Sequence, residues 1–136
     1  MKIIRWVLTL PASILCGYLA YFVGGLINNL SISLFLGSPL EGWWKVAADA
    51  MAHMYMGAAF TYSAIKVAPS APKYVALGFS TLLVVFAGLS LWSSFKIAKF
   101  YALPAIGGLL FGGFAVLYGT LHGEVLPYDS DKPKLE

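Results

Sequence analysis

Charge is what this chain has least of, and the gaps without it are long. No Asp, Glu, Lys or Arg occurs from Trp6 to Leu40, from Tyr74 to Phe95 or from Phe100 to Gly123. Charged residues make up 11% of the 136 positions, against about 25% in an ordinary soluble domain. A fold of this size needs polar surface to stay in water, and 60% hydrophobic residues leave too little of it. A water-soluble globular domain is therefore excluded.

Other absences narrow the chemistry. Cys16 is the only cysteine, which rules out an intramolecular disulfide and a cysteine-rich metal site; inside an apolar run it reads as a small core residue. The net charge of +3 comes from basic residues scattered at segment ends. No Lys/Arg cluster interleaved with aromatics appears, so nucleic acid is not an expected partner. No nucleophile motif, phosphate-binding loop or paired-cysteine spacing occurs, and no catalytic residue is assigned. Alternation is missing too: Leu82-Leu83-Val84-Val85-Phe86-Ala87 does not switch between polar and apolar as a barrel strand would.

What remains is a set of apolar windows. A helix needs roughly 20 mostly apolar residues to cross about 30 Å of hydrocarbon. The windows predict an all-α integral membrane bundle of four transmembrane helices, antiparallel and joined by short loops. Their expected bounds are about 6–27, 43–66, 74–94 and 100–121. Residues 1–123 then form the transmembrane domain and 124–136 a polar, proline-punctuated tail without regular structure. Lys2 and Arg5 ahead of an apolar run resemble a signal peptide, but the run continues to Ile27 with no small-x-small cleavage site, so an uncleaved first helix is expected. Pro11 near its start does little damage there. Leu30 to Leu36 is too short to span, and either extends the first helix or lies along the interface. Trp43 and Trp44 suit the membrane interface, where an indole is half buried and still donates its N–H. Pro69 and Pro72 mark the turn before the third helix.

Orientation follows from the basic residues. With four helices, Lys2, Arg5, Lys66, Lys73, Lys132 and Lys134 fall on one side, and Lys45, Lys96 and Lys99 on the other. That asymmetry predicts both termini in the cytoplasm.

Two patterns bear on function. In the fourth helix Ala105, Gly108, Gly112, Ala115 and Gly119 are spaced three, four, three and four, so small residues line one face. Gly107 and Gly113 widen that groove. Small residues let two membrane helices approach closely. A second, milder line of Ser13, Gly17, Ala20 and Gly24 marks the first helix as a candidate partner, though another helix, a second copy or a different subunit would serve as well. The other pattern is Asp49 and His53, the ionisable residues well inside a span, four apart and on one face of the second helix. An ionisable group there serves a pathway or ligand, or ties helices together. The plainer reading is a hydrogen bond between the two that fixes packing, or an Asp49 shallow enough to reach water.

No cofactor is expected. Haem or copper at His53 is the alternative, with Met51, Met54 and Met56 nearby as soft ligands, though these do not share a face. His122, near the cytoplasmic end of the fourth helix, lies at the wrong depth to pair with His53 on a haem. The expected partners are the lipid bilayer and other membrane-protein subunits or further copies of the chain. The expected role is an accessory or structural subunit of a larger membrane complex. The alternative is a small oligomeric, proton-coupled transporter or channel using Asp49 and His53. In architecture alone the chain resembles the small multidrug-resistance transporters; their glutamate lies in the first helix, where this chain has no acid.

Overall fold

The computed structural model describes residues 2–37, 41–68, 71–96 and 102–123. Among them the chain forms four helices: α1 (Lys2–Leu36), α2 (Gly42–Val67), α3 (Pro72–Lys96) and α4 (Leu103–Leu121). The tail expected to be irregular, 124–136, lies outside the described residues, as does most of the link between α3 and α4.

α1 is longer than the sequence suggests, at 35 residues or about 52 Å. It passes through Pro11, Asn28 and Asn29 without a break and takes in residues 30–36 rather than leaving them at an interface. Several of its polar side chains donate to their own helix, although the buried Asn28 Nδ2 has no partner among the described residues. Thr9 Oγ1 reaches the Arg5 carbonyl at 2.7 Å, Ser13 Oγ the Thr9 carbonyl at 2.6 Å, and Asn29 Nδ2 the Gly25 carbonyl at 2.7 Å. A polar group satisfied within its own helix does not compete with helical structure. The helix stops at Gly37, whose φ of 64° suits a residue without a Cβ and whose N–H caps the Ser33 carbonyl at 2.9 Å. Proline opens α3 at its first position, and α4 also carries proline in its first turn.

α1, α3 and α4 are long and apolar enough to cross a membrane. α2 is as long but less hydropathic, and its place explains why. It packs against α1, α3 and α4, whereas α1 packs chiefly on α2. A central helix meets its neighbours more than its surroundings, and α2 is accordingly built from seven alanines with Gly57 rather than from leucine and isoleucine.

Small residues make up much of the interior, beside Phe60, Ile65, Val75 and Leu83. Ala48, Ala52, Ala64, Ala76, Ala87 and Ala105 are buried, while Phe22, Phe35, Phe86 and Phe111 point outward. Water would forbid that arrangement; lipid permits it, because apolar tails solvate large side chains as well as a core does. Cys16 belongs to the outward set. It is exposed on α1 and not the core residue its setting suggests, since it lies off the face that meets α2.

α3 packs on α4 and, to a lesser extent, on α2, where its Phe79 ring lies 5.2 Å from that of Phe60. Beside it Ser80 is 3% exposed, and its hydroxyl has no hydrogen-bond partner. Ser80→Ala removes that unsatisfied group at no cost in shape. It is expected to raise the thermal midpoint in detergent by the equivalent of about 1 kcal/mol. A lowered midpoint would show that the hydroxyl is in use.

Candidate functional site

The site is set by how α1, α4 and α2 meet. On α1, a Cβ at Gly17 would stand 3.3 Å from the Met56 carbonyl and from Phe60 Cβ, and one at Gly25 would stand 3.7 Å from Ala52 Cβ. Gly24 faces the ring of Tyr55. On α4, the place a Cβ would take at Gly108 is occupied by the Ala50 carbonyl oxygen, and at Gly112 by that of Met54. Gly57 of α2 stands in the same relation to the Leu109 carbonyl. Glycine there brings two helix backbones into contact, the approach that small residues exist to allow.

Both small-residue lines thus meet α2. Of the candidate partners for the α4 groove, it is α2 rather than α1 that α4 docks on: α2 offers Ala50, Gly57 and Ala58 as its own flat side, and it lies between the other two. Ala105, Gly112 and Gly119 are buried and Gly108 is half buried, but Ala115 is exposed. Gly113 takes part instead, against the Leu83 side chain of α3 and 3.4 Å from Thr61 Oγ1. A step of three falls about 60° short of a full turn, so Gly108 and Ala115 stand to one side of the line, and Ala115, the farther round, leaves the contact.

Between Gly17 and Gly24 lies Tyr21. Its hydroxyl donates across to Asp49 Oδ1 on α2 at 3.2 Å. Its ring stands edge-on to the His53 ring, with centroids 4.8 Å apart and planes at 67°. His53 Nδ1 is 2.8 Å from the Asp49 backbone carbonyl and 3.5 Å from Asp49 Oδ1. A carbonyl only accepts, so the short contact puts a hydrogen on Nδ1 and, in the neutral ring, a lone pair on Nε2. The expected pairing of Asp49 with His53 is therefore only part of the arrangement. The histidine is tied chiefly to its own helix backbone, and the carboxylate ties α2 to α1 through Tyr21. The sequence reading missed Tyr21. The signal available was its place on the line of small residues, where a side chain with a polar tip has a neighbour within reach.

The Asp49 side chain is 47% exposed and that of His53 27%. Asp49 opens onto a groove of about 630 Å³ lined by Tyr21, Phe22, Asn29, Lys45, Asp49 and Ala52 among others, all from α1 and α2. Lys45 and Asn29 continue into an adjoining recess with Leu30 and Ser33. The arrangement offers an exposed carboxylate, an ammonium one turn away and an imidazole behind them, within mostly apolar walls.

His122 is not brought to this site. It is exposed at the end of α4, its Nδ1 2.9 Å from the Tyr118 carbonyl and its ring 4.0 Å from the Tyr118 ring. Gly112 is level with Met54, and His122 lies ten residues farther along, about 15 Å. Among the described residues no three His, Cys, Asp or Glu side chains come together as a metal site. Met51 is exposed, while Met54 and Met56 are half buried. No protein-family model, curated protein or solved structure matches the chain.

Proposed function

We propose that all four helices cross the bilayer, neighbours antiparallel and both termini cytoplasmic, and that the protein is a subunit of a larger membrane assembly. The order of contacts supports the alternation. Gly17 meets Phe60 and Gly25 meets Ala52, so α1 and α2 count in opposite senses; Gly108 meets Ala50 and Gly112 meets Met54, so α4 and α2 count in the same one. For α2, Lys45 and Lys66 are 21 residues apart, about 31 Å, which matches the hydrocarbon thickness with a cation at each edge.

These bounds put Asp49 one turn inside the bilayer, and this carries the subunit reading. An acid at such a depth faces the interior of a bundle, a water-filled cavity or a charged partner. Here it faces a groove that neither α3 nor α4 covers, its carboxylate half exposed. The group that completes its surroundings comes from outside the chain. Purification in mild detergent with intact-mass measurement tests this. A stoichiometric companion chain is expected, and the chain alone with lipid would remove the reading. Reporter fusions at Ser70 and at the C-terminus are expected to report cytoplasm, and one at Ser38 the opposite side. Ser70 and the C-terminus on different sides would refute four crossings.

A second reading draws on the same groups. Tyr21, Asp49 and His53 are contiguous, and Tyr21 and Asp49 line the groove, as a proton-coupled transporter would require. It calls for Asp49→Asn to abolish flux in a protein that still assembles.

A further inference from the structure

Resting on the subunit reading, we infer that the companion is a second copy of this chain, joined groove to groove, with Lys45 of each copy paired to Asp49 of the other. Lys45 and Asp49 are four residues apart on α2, so they share a face, and both line the same groove. No ion pair joins them among the described residues; the ion-pair contact of Asp49 is with His53. One surface thus presents an ammonium and a half-exposed carboxylate that are not spent on each other.

That pattern is self-complementary. In a two-fold interface the same patch meets itself, so residue i touches j and j touches i. A two-fold axis along the membrane normal keeps the two α2 helices level. Lys45 of one copy then stands about 6 Å along the normal from Asp49 of the other, one turn of helix. A lysine's flexible four-carbon stem covers that offset. Two reciprocal pairs result, and each intramembrane carboxylate gains a lysine partner that no described residue of its own chain gives it.

The lining of the groove agrees with this. Phe22 and Leu26 line it and are exposed at its edge, placed to enter the facing recess of a second copy. Among the described residues the remaining Lys and Arg stand at helix ends, and Lys45 is the lysine that lines the groove with Asp49.

The test uses the full chain in native-like membranes, followed by intact-mass measurement in mild detergent. Wild type is expected to give a species of two copies. Lys45→Asp and Asp49→Lys alone set like charges against each other and are expected to weaken association about tenfold or more. The two together restore opposite charges and are expected to recover the dimer. A merely structural need for either side chain predicts no such recovery. In a Cys16→Ser background, Leu26→Cys is expected to give disulfide-linked dimers on oxidation, which tests the same face without touching a charge. A double exchange no better than the single ones, or a dimer indifferent to them, overturns the proposal. A single copy bound stoichiometrically to another protein overturns it too, while the subunit reading stands. A single copy carrying only lipid removes both.

Discussion

Gly112→Leu is expected to break the α2–α4 contact and with it the folded bundle, whereas Leu110→Phe is expected to leave both intact. The first Cβ atom decides the difference. At Gly112 it would fall on the Met54 carbonyl oxygen and 3.0 Å from the Ala58 nitrogen, both backbone atoms of a helix held on three sides. A flexible side chain would yield; a helix backbone yields only if the two helices separate. Overpacking a core costs about 1–3 kcal/mol where neighbours can adjust, and this site belongs at or above the upper end. Leu110 is half exposed, and a larger ring there has room outward. Size-exclusion profiles and thermal midpoints in detergent read the difference. The neighbouring glycines supply a control one residue apart. A Cβ at Gly107 meets nothing within 4 Å, while at Gly108 it meets the Ala50 carbonyl. Gly107→Ala is expected to stabilise slightly through helix propensity, up to about 1 kcal/mol, and Gly108→Ala to destabilise. Equal behaviour of the two would mean that the helices do not approach as closely as described.

Asp49→Asn is expected to separate folding from assembly. The amide oxygen still accepts the Tyr21 hydroxyl, so the tie between α1 and α2 survives with a loss of about 0.6 kcal/mol, the average for polar contacts within membranes. The negative charge is gone, so the companion chain is expected to dissociate while the bundle keeps its thermal midpoint. His53→Ala is expected to do the reverse. It removes the ring against which Tyr21 stands edge-on and leaves a space between α1 and α2, costing about 1–2 kcal/mol, but the carboxylate stays in place. Intact mass and thermal midpoint, measured on both variants, distinguish the two effects. If Asp49→Asn assembles fully yet abolishes a growth or flux phenotype, the transporter reading replaces the subunit reading.

The spans were legible to different degrees. α3 and α4 lie within a few residues of the apolar windows that announce them. α1 does not, because Asn28, Asn29 and the serines after them look like an interruption to any count of hydropathy. Asn29 instead bonds back to the Gly25 carbonyl and the helix continues to Leu36. α2 shows the opposite case: its tryptophans and lysines mark its ends well, but its alanines dilute its hydropathy because they serve packing.

The sequence by itself determined that the chain is helical, that most of it is too apolar and too poor in charge for water, and that one carboxylate and one imidazole share a face of the second helix. These are local properties, carried by composition and by spacing along one helix. Only the tertiary structure decided that α2 is central, that both glycine lines press on it, and that Tyr21 rather than His53 holds the Asp49 carboxylate across the helix gap. Only it decided, too, that this carboxylate opens outward onto a groove. A stripe of small residues shows that some backbone comes near without showing whose, because rotation and depth of one helix relative to another are set by all their side chains at once. Partner choice is a property of pairs, and no single helix encodes it.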